Sequence, residues 1–384
     1  MKKLLLFIVF AAVFTFCACG ESYEFDMQTL TENKDIYTEL YDSSDIDSLI
    51  DATPDYAKEF LYELELSPKD PFSFANVTSK GAFKAFLEYL KNYILSPLKV
   101  CTLLITAILI CALIKSMGYD ATDGPQYTMN IAAALICIAA VMVPVCSLVQ
   151  KAAGTIRVCS GFMIAFIPVF LGILIALMRS ASAATLQPLM FFACQVVTYI
   201  GANVITPFCS MYLAVSVAAS VSEGGRLKGF AEIIKKSATW ILTGSMTVFM
   251  AILSIQTAIG SASDSVVNKT AKFFVGSFVP VIGASISEAL SSVQSCVSLL
   301  KSSVGIYAII VLLIILVPII VEIVLWRFAL MFCSSAAEMF SLNEIKAVTD
   351  SVQGALGILL SVTACVAVMF VFSITIISVA GGSL

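Results

Sequence analysis

Few residues in this chain have the capacity for chemistry, and their spacing argues against catalysis. Histidine is absent from all 384 residues. That removes Ser-His-Asp and Cys-His nucleophilic catalysis, histidine zinc sites and histidine haem ligation together. Of the twelve cysteines, Cys101, Cys111, Cys137, Cys146, Cys159, Cys194, Cys209 and Cys365 sit inside apolar runs, and no Cys-x-x-Cys pair occurs. Cysteines so placed behave as small hydrophobes rather than metal ligands. Asp120 and Asp123 share a short segment with Gly124-Pro125, which reads as a turn carrying solvated carboxylates. There is no glycine-rich phosphate loop, no nucleophile elbow and no Glu-x-x-His pair. The expectation is a protein that is not an enzyme, with no catalytic, cofactor-binding or metal-binding residues and no cofactor.

What remains are charges in apolar surroundings. Glu322 lies within Ile319 to Trp326, and Arg327 follows five residues later. An ionisable residue in a membrane helix is expensive and marks a functional site by default. Two readings stand: an interior, passage-lining position, or an interfacial one from which the long Arg327 side chain snorkels. Glu338, eleven residues beyond Arg327, falls on nearly the same helical face and is a candidate partner. From Gly283 to Ser303, Glu288, Ser291, Ser295, Ser298 and Ser302 recur at spacings of three and four, opposite Ile286, Leu290, Val293, Val297 and Leu300. That pattern gives an amphipathic helix with a small, hydroxyl-rich face, suited to water, to the interface or to close helix approach.

These residues need elements to hold them, and composition decides the solvent. The chain is 59% hydrophobic and 12% charged, with a mean hydropathy of +0.98. Soluble domains are nearer half apolar and a quarter charged, so lipid covers most of this surface. A net charge of −4 argues against nucleic acid as a partner. Between Gly20 and Asn92 there are 16 acidic and 6 basic residues; from Tyr93 onward there are 10 acidic and 14 basic. Two regions in different solvents follow.

Residues 1–20 read as a signal peptide: Lys2 and Lys3, an apolar run from Leu4 to Phe16, then Ala18-Cys19-Gly20 as a cleavage site. Phe16-Cys17-Ala18-Cys19 also resembles a lipobox, with Phe16 and Cys17 atypical, so lipidation of Cys19 stays open. Either route exports residues 21–92, an acidic helical segment. There Thr53-Pro54-Asp55 predicts an N-cap, a first-turn proline and a first-turn acid, and Phe60, Leu61 and Leu64 make an apolar face. A second amphipathic stretch carries Phe83, Phe86, Leu87, Leu90 and Ile94. The segment is either a docking surface for an extracytoplasmic partner or a solvated cap.

Apolar spans follow over 93–114, 129–150 and 158–178. Between Arg179 and Glu223 lie 43 uncharged residues. As helix they measure roughly 65 Å, twice a bilayer core of about 30 Å, so two crossings with a break at 203–207 are expected. Residues 239–260, 273–290, 303–325, 328–341 and 352–379 offer more, for about seven to ten crossings of an all-α transmembrane bundle. An exported amino terminus then places residues 222–238, with Arg226, Lys228, Lys235 and Lys236, in the cytoplasm, as the positive-inside rule requires. Lys151, Arg157, Lys269 and Lys272 fall on the other side, against it.

Weak self-similarity suggests a duplication. Arg157 precedes Ala165-Phe166-Ile167-Pro168-Val169 as Lys269 precedes Ser277-Phe278-Val279-Pro280-Val281, an offset of 112 residues. Pro207 pairs with Pro318, and Glu232-Ile233 with Glu344-Ile345, at nearly the same offset. The expected organisation is two helices over 93–150, then repeat halves 151–262 and 263–384 related by an axis along the membrane normal. Pro168, Pro280, Pro207 and Pro318 are then candidate helix breaks near a passage, or kinks of the kind membrane helices tolerate.

The run from Arg157 to Leu171, together with Ser254-Ile255-Gln256-Thr257, Thr270-Ala271-Lys272 and Phe278-Val279-Pro280-Val281-Ile282-Gly283, resembles the stage III sporulation protein AE family. The order of signal peptide, acidic segment and apolar remainder agrees with it. The resemblance implies a multi-pass subunit of a secretion-like channel complex in the mother-cell membrane around the forespore, needed for late forespore development. Its implied partners are the ring-forming and ATPase subunits of the same complex, besides membrane lipid. It implies no catalytic residues. An autonomous secondary transporter and a passive scaffold are the competing readings.

Overall fold

The computed structural model describes residues 34–69, 73, 97–113, 125–177, 180–221, 227–252 and 283–380. The signal peptide, Cys19, the stretch from Phe83 to Ile94, Asp120, Asp123, Arg179, Arg226, Lys269, Lys272 and Pro280 lie outside the described residues.

Every regular element among the described residues is a helix. Three short ones come first: α1 (Lys34–Ser43), α2 (Ile46–Asp51) and α3 (Asp55–Glu63). Then come α4 (Pro97–Leu113), α5 (Pro125–Ala176), α6 (Ser180–Thr198), a π-helical turn at Tyr199–Ile205, and α7 (Thr206–Val221). The bundle closes with α8 (residues 227–252), α9 (Gly283–Met339) and α10 (Asn343–Ala380). Four helical stretches are long and apolar enough to cross a membrane: Ala132–Ala176, Pro188–Ser220, Cys296–Met339 and Asn343–Thr375. The all-α, membrane-spanning expectation is met.

Segmentation differs from expectation in three places. Residues 129–150 and 158–178 form no separate crossings; α5 runs through both as one helix of 52 residues, about 78 Å long. The described part of 273–290, with 303–325 and 328–341, likewise joins in α9, 57 residues long and about 85 Å. The uncharged stretch between Arg179 and Glu223 is a continuous rod, its expected break replaced by the π turn. The supposed breaks fall at isolated charges, chiefly Lys151, Arg157 and Arg327. A helix need not end where a charge sits, provided that charge finds a partner. Residue 151, the expected start of the first repeat half, lies inside α5.

α9 and α10 form the largest interface, and α5 packs against both. Their hairpin turns through Ser341 at φ 55. Leu342 N–H donates to the Ala337 carbonyl at 2.9 Å and Ser341 N–H to Glu338 at 3.0 Å. That is a Schellman closure, with buried Leu342 supplying the apolar contact. Ser334 Oγ donates to Asp350 Oδ1 at 2.6 Å, clamping the two helices below the turn. On α5, Val145, Leu148, Ala152, Ile156, Cys159, Phe162, Phe166 and Phe170 are all buried, the three-and-four spacing of a core-facing stripe. Phe166 and Phe170 stack at 5.2 Å between ring centroids.

α5 and α9 run antiparallel. Lys151 meets Glu322, while Pro168, Gly172 and Ala176 line a cleft with Val297 and Leu300. The amino-terminal helices dock beside that cleft, where Leu40, Ser44 and Asp45 complete its wall. Ile46 and Leu49 are buried, and Tyr37 Oη donates to the Pro68 carbonyl at 3.0 Å. Tyr41 Oη donates to Asp47 Oδ1 at 3.3 Å; burial, then the Asp47 charge, hold its phenol pKa well above the ordinary value. The capping expectation is off by one residue. Pro54 is the N-cap of α3. Thr53 instead bonds the Leu49 carbonyl at 3.0 Å and Tyr307 Oη of α9 at 2.9 Å. Phe60 and Leu61 are buried as expected, with Leu64 packed against the core.

The described cysteines carry no disulfide, and six of them are buried, as expected of small hydrophobes. One pair was not foreseen: Cys101 Sγ of α4 lies 3.8 Å from Cys333 Sγ of α9. Oxidation with copper phenanthroline is expected to cross-link Cys101 to Cys333, read as one disulfide-linked peptide by mass spectrometry and lost in Cys333→Ala. A linkage of Cys101 to some other cysteine would place α4 elsewhere on the bundle.

Candidate functional site

Halfway along the bundle a girdle of polar side chains interrupts the apolar packing. Lys151 Nζ donates to Glu322 Oε1 at 3.1 Å; the lysine side chain is 55% exposed and the glutamate side chain 5%. Glu322 Oε2 is buried without a hydrogen-bond partner. One lysine therefore compensates a carboxylate with room for a second donor, an arrangement kept only where the surrounding packing enforces it. Glu322 is buried within the bundle, at 4% exposure.

Two turns along α5, Arg157 Nη2 donates to Asn203 Oδ1 at 3.0 Å. Asn203 sits inside the π turn, and Pro207 begins the helix beyond it. Proline has no N–H for the carbonyl four residues back, and its ring would strike that oxygen. Widening the helix by one residue per turn relieves the clash. Thr206 N–H bonds the Gly201 carbonyl in the π register, and Thr206 Oγ1 donates to the same oxygen at 2.9 Å. A Cβ on Gly201 would stand 3.3 Å from Val366 Cγ2 and 3.4 Å from Ile156 Cδ1, so the turn presses closely on α5 and α10. Pro207 is thus the helix irregularity that was expected, without a break in the chain path.

The other sequence candidates are dispersed. Pro168 lies inside α5 and Pro318 inside α9; neither ends its helix. Glu288 is in the first turns of α9, more than 30 residues from Glu322. Glu338 does not partner Arg327 but pairs with Lys346 Nζ at 2.7 Å, because the hairpin brings α10 beside it. Arg327 Nε is buried without a hydrogen-bond partner. The hydroxyls of Ser302 and Ser303 are absorbed by their own helix, donating to the Ser298 and Leu299 carbonyls at 3.0 and 3.1 Å. On the predicted hydroxyl face Ser302 is buried and Ser298 exposed, while Val297 and Leu300 of the opposite, apolar face are buried.

Lys151, Arg157 and Asn203 were missed as site residues. The signal was present: each is a lone polar residue in an apolar run, on a helix facing another such helix. The girdle holds no nucleophile beside a base. Chemically it can hold charge and exchange a proton or hydrogen bond at Glu322.

The family described as Stage III sporulation protein AE matches residues 73–381. The chain is also similar to Stage III sporulation protein AE of Bacillus subtilis (strain 168), at 23% identity over 302 residues, covering 78% of this chain and 75% of that one. No solved structure matches it. Both descriptions are those of a sporulation protein. With a match across four-fifths of its length and an apolar helical bundle to carry it, the chain belongs to the Stage III sporulation protein AE family.

Proposed function

We propose that this chain is a membrane subunit of a secretion-like channel complex that links the mother cell to the forespore. In this reading it sits in the mother-cell membrane around the forespore and forms part of the conduit. It works with ring-forming and ATPase subunits and is needed for late forespore development. The observation that supports it is the acidic amino-terminal unit mounted on the bundle. Thr53, Ile46 and Leu49 face inward, leaving Glu39, Asp42, Asp51, Asp55 and Glu59 exposed beside Tyr62, itself 75% exposed. A rigid acidic surface with protruding aromatics is what a protein partner would grip.

A second reading, an autonomous secondary transporter, draws on the buried Glu322–Lys151 pair, since intramembrane charges mark ion and proton paths. The two separate on deletion of residues 34–69. A complex subunit loses its partners and its localisation, while a transporter keeps its place in the membrane. Imaging a functional fluorescent fusion through sporulation, with and without that deletion, tests this. Enrichment around the engulfed forespore that disappears with residues 34–69 supports the complex. Uniform membrane fluorescence with normal spores would reject it.

A further inference from the structure

A cleft of about 350 Å³ opens between α8, α9 and α10, and Arg327, Lys235 and Gln353 line it together with Leu242, Ile358 and Val362. Among the described residues its wall carries two cations and no carboxylate. The nearby acids on α9 and α10 find their partners outside the cleft: Glu322 meets Lys151 through one of its two oxygens and Asp350 accepts from Ser334. Arg327 Nε is buried with no hydrogen-bond acceptor, so one edge of a half-buried guanidinium is desolvated and lacks an acceptor. Such a group calls for a charge-assisted acceptor.

The remaining lining is largely aliphatic, and its two hydroxyls, Thr239 and Ser361, donate to the Lys235 and Gly357 carbonyls of their own helices, which does not suit a free inorganic anion. Lys235 and Leu242 are seven residues apart on α8, about 10 Å along the axis, and Gln353 and Val362 about 13 Å apart on α10. Along its length the cleft therefore offers cations, an amide donor and aliphatic surface to one occupant. Trp240 of the same helix is 80% exposed; together with Lys235 and Lys236, also exposed, it gives α8 the composition of a headgroup-level segment. Two prolongations of apolar surface on the same helix, Val248 and Ile252, are exposed as well.

We propose that this cleft binds one anionic phospholipid, its phosphate held by Arg327 and Lys235 and the first part of an acyl chain lying against Leu242, Ile358 and Val362. The volume accommodates a headgroup and the start of a chain, and the rest of the lipid stays in the surrounding bilayer. The site is distinct from the Lys151–Glu322 pair and independent of which partners the protein has.

Native mass spectrometry of the full chain, released from detergent after incubation with phosphatidylglycerol or phosphatidylcholine, tests the assignment. One phosphatidylglycerol is expected to remain bound, with phosphatidylcholine lost. Lys235→Gln should weaken retention about fivefold and Arg327→Gln about tenfold, while Lys236→Gln, one residue outside the cleft, leaves it unchanged. Lys235 is exposed, so its variant folds even where the arginine variant does not. Equal retention of both lipids, or equal weakening by Lys235→Gln and Lys236→Gln, would overturn the proposal. Displacement of the lipid by millimolar inorganic phosphate would do the same and assign the cations to a free anion.

Discussion

Lys151→Leu is expected to lower the stability of the bundle by about 3 kcal/mol, because it leaves the Glu322 carboxylate buried without its counter-charge. That is the lower end of the range for breaking a buried pair. The lysine side chain is 55% exposed, so part of its interaction is already screened. The loss is to be read from thermal unfolding of the purified protein in detergent. Glu322→Gln removes the charge that needs compensating, and Lys151 then keeps its own exposure to water or headgroups. The Lys151→Leu, Glu322→Gln double variant should therefore be more stable than Lys151→Leu alone. Simple additivity of the two single effects would mean that the pair is not coupled, and the contact between α5 and α9 would lose its electrostatic role.

Gly354→Ala should destabilise the protein, although alanine is the better helix former by about 1 kcal/mol. A Cβ at this position would stand only 2.4 Å from Tyr212 Oη, with Tyr212 Cε1 and Cζ at 3.2 Å. Tyr212 is 8% exposed and wedged between α7 and α10, so the ring has little room to swing. Overpacking of this kind costs roughly 1–3 kcal/mol, which outweighs the propensity gain. Removing the hydroxyl removes the worst contact, so most of the penalty should vanish in a Tyr212→Phe background. If Gly354→Ala stabilises the native tyrosine protein, α7 and α10 are farther apart than described. The same approach is seen nearby, where Cys209 Sγ donates to the Ala355 carbonyl at 3.3 Å and Ser351 Oγ to the Ser216 carbonyl at 3.1 Å.

Fold class was legible because hydropathy is an additive property of composition: the apolar runs alone demand membrane helices. Family membership was legible because runs such as Arg157 to Leu171 resemble the family, whose model matches residues 73–381 although identity to the Bacillus subtilis relative is 23%. What a charge means inside an apolar run was not legible. Lys151 and Arg157 resemble loop residues one helix at a time, and only the antiparallel packing that brings Glu322 and Asn203 opposite them shows that the helix continues. Thr53 failed for a related reason. Its sequence neighbourhood is that of an N-cap, but its hydroxyl is committed to Tyr307, 254 residues away, a distance over which local pattern carries no information. Pro207 as an irregularity was readable, since it is exceptional within its own segment, whereas the sequence left Glu322 open between the interior and the interface.

That 254-residue separation has a consequence in time. Helices α1 to α3 leave the ribosome long before the stretch of α9 that receives them exists. At synthesis rates of about 5–20 residues per second, the interval is on the order of 12–50 s, far longer than short helices need to form. During it Tyr37 and Tyr41 of α1 and the Thr53 hydroxyl, all buried in the finished protein, lack the α9 surface that they later meet. The early unit must therefore be held apart from other unpaired chains until α9 arrives. Its dense negative charge suits that interval, because like-charged segments repel one another while they wait.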